Sequence, residues 1–316
     1  MEKIRMREAE NNVKIEGIIS EINLENGSYV KDGKTIETVR GRVNVLVNQV
    51  INGVPVESEI PIEMFSPKYT KAGALNPSYE SIMRIKDEMV SIAAAGGQEG
   101  ADGIRIKGRL MMNEYFNQAK QFVSFPRITT SFATKVDKKN LKPEASFDVE
   151  MVVASQGYVD NPDGTPMEDA NGNPRYEVTG LIPMYGGKID KVKFVCANEN
   201  VINSVKEYWQ DGDTVKAHGR LNFSSTTETS VIEEGFGEAV ERSRTITVRD
   251  LVITGGNPTP LDGEFAFSAS EIKSALAERQ ARLEELKRKS EEKPMRTRMA
   301  PAPANTVSKG SFDLGF

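Results

Sequence analysis

Apolar and polar residues alternate along most of this chain, and helical spacing is the exception. Residues 13–24 place Val13 and Ile15 on one side, then pass Gly17 to Ile18, Ile19 and Ile22. A glycine inside such a strand predicts a bend, as at the corner of a barrel. Residues 35–50 are β-branched with period two: Val43, Val45 and Val47 share one face, Arg42, Asn44 and Leu46 the other. Residues 54–65 read as the returning arm of a hairpin, and 104–113 and 122–136 as two further strands. Before these last two, residues 78–89 carry Ile82, Ile85 and Met89 at helical spacing. Asn26-Gly27, Asp32-Gly33 and Asn52-Gly53 are turn dipeptides between strands.

The same order recurs in the second half. Residues 145–156, 176–184, 188–196, 213–223 and 244–253 have strand patterning, and 198–209 has Val201, Ile202 and Val205 on one helical face. The halves share a short pattern, GIRIKGRL at 103–110 and DTVKAHGRL at 213–221, each after an acidic, glycine-containing loop. A strand-rich unit with a late helix, repeated at about 110 residues, predicts two tandem domains. The expected division is a flexible arm over 1–12, a first domain over 13–136, a linker over 137–144, a second domain over 145–254 and a tail over 255–316. In the tail, Ser268 and Glu271 form a capping box that opens a charged helix over about 269–293. Its apolar stripe is thin, which predicts a solvated helix. Residues 294–308 are rich in Pro, Ala, Thr and basic residues, a composition that favours disorder, and 310–316 read GSFDLGF.

Composition then removes most reaction chemistry. Cys196 is the single cysteine and His218 the single histidine of 316 residues. Intrachain disulfides, thiolate metal clusters, Ser-His-Asp triads and Cys-His dyads are therefore not expected. There is no Walker-type phosphate loop, no GxGxxG after a strand and no HExxH. No cofactor, no metal and no catalytic residue is expected. No apolar run reaches transmembrane length, so a soluble, cytoplasmic protein without membrane contact is expected.

The net charge of −5 is unevenly spread. Residues 1–143 hold 21 Lys+Arg against 18 Asp+Glu, while residues 144–255 hold 10 against 19. A polyanion would meet the first domain more favourably. That domain also interleaves cations with aromatic residues: Tyr29, Lys31 and Lys34 in a turn, Arg40 and Arg42 on the second strand, Arg109 in the repeat, then Tyr115, Phe116, Lys120 and Arg127. Cations suit phosphates and aromatic faces suit bases, which is how single strands are gripped without sequence preference. In the second domain only Arg175 and Lys188, with nearby lysines and tyrosines, offer a comparable cluster. Arg109 and Arg220 are equivalent repeat positions, and a structural ion pair in each domain would account for them equally well.

The order of strands with a helix between the third and fourth resembles the OB-fold, a small Greek-key barrel that binds oligonucleotides. The resemblance covers residues 13–136 and 145–254. It implies a mainly β protein: two tandem five-stranded barrels, each with one helix, followed by a C-terminal helix and a disordered tail. The last residues resemble the C-terminal peptide of bacterial single-stranded DNA-binding proteins, with Phe312, Asp313, Leu314 and Phe316 as partner contacts. Gly315 stands where that family usually has Pro, and there is one acidic residue rather than several. The spacing Ser311, Leu314, Phe316 also resembles a sliding-clamp-binding peptide. Together these imply a single-stranded DNA-binding protein of phage or mobile-element type, coating strands in replication, recombination or repair and recruiting partner proteins through its tail. RNA is open as a ligand, because stacking and phosphate contacts serve both. The competing expectation is a non-catalytic structural or assembly protein, a virion or scaffold component built on two β-barrels.

Overall fold

The computed structural model describes residues 6–292 apart from 52, 169–171, 173 and 233–239; over 225–247 only the backbone is described. The protein is mainly β with several helices. The first half holds β1 (Asn11–Lys31), β2 (Lys34–Ile51), β3 (Val54–Pro67), α1 (Pro77–Glu88), α2 (Ile92–Ala95), β4 (Gly103–Phe116), β5 (Phe122–Thr130) and β6 (Ala133–Val136). The second holds β7 (Glu144–Tyr158), β8 (Tyr176–Met184), β9 (Lys188–Cys196), α3 (Glu199–Tyr208), β10 (Thr214–Ile232), β11 (Val240–Gly256) and α4 (Ala269–Glu292).

Pairing follows one scheme twice. β1 pairs β2, β2 pairs β3, β3 runs parallel to β5, β5 pairs β4, and β4 returns to β1. In the second half β7 pairs β8, β8 pairs β9, β9 runs parallel to β11, β11 pairs β10, and β10 returns to β7. Each set of five strands thus forms a closed hydrogen-bonded circuit. β6 is an addition that pairs with the start of β4. The two circuits meet where β1 pairs antiparallel with β7, making one continuous sheet.

The alternation read from the sequence puts Ile15, Ile19, Val43, Val45, Ile60, Ile62, Ile104, Ile106 and Ile128 inside the first circuit. α1 adds Ile82 and Ile85; Asn76 caps it by accepting from the Ser78 N–H at 3.1 Å, and Pro77 opens it. The second circuit is filled by Phe147, Val149, Met151, Val178, Ile182, Ile189, Phe194, Leu221 and Ile253, with Ile202 and Val205 from α3. Cys196 is buried at the end of β9, and burial pushes its thiol up to about 12.

The repeated Gly-Arg-Leu has a steric cause. Gly108 lies opposite Val13 and Gly219 opposite Phe147, and Val13 and Phe147 pair with each other across the junction. The two first strands therefore run antiparallel about a local two-fold. A Cβ on Gly219 would lie 2.0 Å from the Val252 carbonyl oxygen and 2.7 Å from the Phe147 ring. On Gly108 it would lie 2.9 Å from the Thr129 carbonyl oxygen. Strands β5 and β11 cross too closely there for any side chain.

Several expectations are corrected. The flexible arm over 1–12 is packed from Met6 onward: Met6, Ala9 and Asn11 are buried, and Arg7 bridges to Glu150 with its guanidinium 4.0 Å from the Phe267 ring centroid. Asn26-Gly27 does not turn. β1 continues through it to Lys31, and the chain reverses at Asp32 and Gly33, whose φ values of 50° and 73° match the right-handed twist of a hairpin. The strand read over 122–136 breaks into β5 and β6. The last two strands run past the ends read for them at 223 and 244, as the β10–β11 hairpin extends through 224–232 and 240–243.

The tail helix is docked, not solvated. Its capping box forms as read, the Glu271 N–H reaching the Ser268 hydroxyl at 3.3 Å and the Ser268 N–H reaching the Glu271 carboxylate at 3.2 Å. Ile272 and Ala275 are buried, and Arg279 and Arg282 both bridge to Glu114 of β4. The helix lies against β4 of the first half and β9 of the second. A thin stripe sufficed because the charged positions flanking it found a buried carboxylate. The expected tail peptide, Phe312 to Phe316, lies outside the described residues. No described helix is long and apolar enough to cross a membrane.

Candidate nucleic-acid interface

A groove of about 1000 Å³ opens on the first half, floored by β2, β3, β4 and β5. Arg40, Lys107, Arg109 and Arg127 line it, with Phe65 and Phe132 on its walls and Met64 and Met111 between. Phe65 follows the inward residues Ile60, Ile62 and Met64, so the strand period turns it outward, 52 % exposed. Phe132 stands in the break between β5 and β6 and is 56 % exposed. Two large aromatic rings left in water beside four cations are not a core remnant. They suit a ligand with flat faces and negative charge.

Three of the groove cations are held by carboxylates. Arg127 donates to Glu63 at 2.7 Å, Arg40 to Glu25 at 3.0 Å, and Arg109 to Glu8. The Arg127 Nε is buried without a protein partner. Lys107 has no side-chain partner among the described residues. Arg42 lines an adjoining depression of about 610 Å³ with Asn23, Glu25 and Glu63.

The residues picked out by sequence fall into four places. Arg40, Arg109 and Arg127 share the groove, and Arg42 adjoins it. Tyr29, Lys31 and Lys34 stand at the end of the β1–β2 ribbon and do not line the groove. Tyr115, Phe116 and Lys120 belong to the β4–β5 hairpin. There Tyr115 packs edge-on against Phe125 at 6.3 Å, Phe116 against Phe122 at 5.5 Å, and Lys120 takes φ 62° in the turn. Arg249, from the second half, sits over Phe125 at 5.1 Å. Arg175 and Lys188 lie in the second half, apart from the groove.

Arg175 is a structural group rather than a presented cation. It donates to both oxygens of Asp250 at 2.8 and 3.0 Å and to Glu177 at 2.8 Å, and these carboxylates raise its pKa above the usual arginine range. Lys188 is exposed at the start of β9. The ion-pair reading of the repeat arginines holds for Arg109 alone. Arg220 is half-buried with no partner among the described residues, and burial lowers its pKa.

Phe65, Phe132 and Lys107 were not singled out by sequence. Phe65 was legible from the period of β3. Phe132 was hidden because 122–136 read as one strand, and Lys107 because only the tertiary fold brings it to the groove. Among the described residues no group of three His, Cys, Asp or Glu side chains is placed to hold a metal ion.

A family model described as YorF matches residues 9–289, most of the chain. The protein belongs to the YorF family. Comparison with curated sequences gives no match. Among solved structures, this YorF-family chain overlaps the wild-type single-stranded DNA binding protein from Thermus aquaticus at 10% identity and TM-score 0.49, covering 84% of this chain and 99% of that one. A deletion mutant of the Thermus aquaticus protein overlaps at 10% identity and TM-score 0.47, covering 83% and 98%. A Replication Protein A heterotrimer bound to ssDNA overlaps at 8% identity and TM-score 0.19, covering 88% and 70%. All three overlaps are distant in sequence and in shape.

Proposed function

We propose that this protein binds single-stranded nucleic acid, with little sequence preference, in the groove of its first half. The observation that carries the reading is the combination of Arg40, Lys107, Arg109 and Arg127 with the exposed rings of Phe65 and Phe132 in one open groove. Each closed five-strand circuit, with a helix between its third and fourth strands, fits a barrel of the oligonucleotide-binding type. Phosphates would exchange for Glu25, Glu63 and Glu8 on the groove arginines, which favours reversible binding over very tight binding. No step of bond making is involved, and the protein acts by coating strands during replication, recombination or repair.

The test is fluorescence anisotropy with a labelled oligo-dT of about 30 nucleotides, with oligo-U and duplex DNA beside it. The four groove cations contribute about −2.8 to the slope of log K against log salt, at about −0.7 per contact on single strands. Duplex binding equal to single-strand binding, or no binding at low salt, would overturn the reading. The oligo-U arm decides between DNA and RNA.

Partner recruitment through Phe312, Asp313, Leu314 and Phe316 is the second half of the proposal. Removal of residues 310–316 should leave oligo-dT affinity unchanged and abolish binding to replication or recombination proteins; equal loss of both would sink this division of labour. The assembly reading is less favoured, because the apolar stripe of α4 is already packed on β4 and β9.

A further inference from the structure

A row of polar side chains leads out of the groove toward the second half. Strand register places four side chains in one row across the junction. Lys107 lies opposite Lys14, Lys14 opposite Ser146, and Ser146 opposite Arg220. Directly paired residues project to the same face of a sheet. Val13 and Ile15 are buried on either side of Lys14, so this is the outer face. Over three strand spacings the row runs about 14 Å. Lys107, Lys14 and Arg220 have no side-chain partner among the described residues, whereas neighbouring cations are taken: Arg105 by Glu16 at 2.6 Å and Lys216 by Glu10 at 2.7 Å.

Resting on the groove reading above, we propose that this row is the exit path of the bound strand, which carries its phosphates from the groove over Lys107 and Lys14 to Arg220 on the second half. The row starts inside the groove, since Asn12, Lys107 and Arg109 line it. Among the described residues of the second half, the position matching a groove arginine carries the opposite charge. The position that Arg127 holds opposite Met111 is taken by Asp250 opposite Asn222, and Asp250 is locked to Arg175. The outer face at the junction is the open course. The carboxylates flanking the row are Glu16, neutralised by Arg105, Glu144, which accepts from the Ser146 hydroxyl, and the exposed Asp148 opposite His218. They confine a polyanion to the row rather than close it. At the roughly 3.4 Å repeat of a stacked strand, the row spans up to about four phosphates.

The experiment compares two oligo-dT lengths on the full chain. One of about 12 nucleotides falls within the roughly 4–16 that a single oligonucleotide-binding domain covers, and one of about 30 reaches beyond it. In the variant Lys14→Gln with Arg220→Gln, affinity for the short oligonucleotide should stay within about twofold. Affinity for the long one should fall about tenfold, and its salt slope should flatten by about 1.4, the share of two contacts. Ser146→Glu leaves both cations in the sequence but sets a carboxylate between Lys14 and Arg220, where it competes with phosphate for them, and should weaken long-oligonucleotide binding on its own, so the idea stays testable if the double variant folds poorly. Unchanged affinity and slope for the long oligonucleotide in a folded variant overturn the path. A polyglutamate peptide is the control: binding that needs Lys14 and Arg220, with oligonucleotide binding indifferent to them, would assign the row to an acidic protein partner instead. If the wild-type protein binds neither oligonucleotide, the groove reading fails and the path with it. If it binds both with equal affinity and slope, only the path fails.

Discussion

Alanine at both Phe65 and Phe132 is expected to weaken binding of a 30-nucleotide oligo-dT at least about 30-fold, since each stacked base contributes roughly 1–3 kcal/mol by alanine substitution. The two rings stand on opposite structural footings, one on the outer face of β3 and one between β5 and β6, yet both line the same groove. More than half of each is exposed, so truncation removes little of the core, and the thermal midpoint should barely move. Rings release no counterions, so the salt slope should stay where it was while the affinity drops. This separates the aromatic contribution from the phosphate contribution in one titration series. Unchanged affinity in the double variant would show that bases do not stack in this groove, and Tyr29 on the β1–β2 ribbon and Tyr115 on the β4–β5 hairpin would be tested next. A flatter slope would mean that the substitutions had displaced the arginines.

Glu114→Ala is expected to cost about 3–5 kcal/mol in urea unfolding, the usual penalty for removing one partner of a buried ion pair. The Glu114 side chain is 5 % exposed and receives both Arg279, 14 % exposed, and Arg282, 38 % exposed. The loss should sit near the lower end of that range, because Arg282 can turn to water while Arg279 cannot. Arg279 already has a buried Nε with no protein partner. Without that carboxylate Arg279 keeps only the longer-range attraction of Asp190 on β9, and the hold of α4 on β4 is lost. Because α4 also lies on β9, the two halves lose a brace in addition to the β1–β7 pairing. Limited proteolysis after residue 268 should become fast, and short oligonucleotides should still bind, since α4 does not line the groove. Glu114→Gln keeps the shape and removes the charge. If it retains full stability, packing holds the helix and the ion pair contributes nothing.

Strand and helix order was legible because period two and period 3.6 are local properties. Val43, Val45 and Val47 inward, Ile82 and Ile85 inward, and the Ser268 capping box all follow from nearest neighbours along the chain. The repeat was legible too, since a glycine beside Arg109 and Arg220 marks the place where another backbone crosses. The candidate site was only half legible. Arg40, Arg109 and Arg127 were picked from charge and context, and they do meet in one groove. Arg175 was picked on the same grounds and proved to be bound by Asp250, a partner 75 positions away. Composition reports that a cation exists, not whether a distant carboxylate has claimed it.

The amino-acid order by itself determined the β class, the twofold recurrence of elements, the exclusion of an intrachain disulfide, and the basic bias of the first half. Tertiary structure alone decided the closure of each five-strand circuit, the β1–β7 junction, the docking of α4 and of residues 6–12, and which cations stay unpaired. The physical reason is range. Periodicity and capping are settled within a few residues, whereas register between strands over a hundred residues apart depends on which faces can be buried together, and that is fixed only when the whole chain has folded.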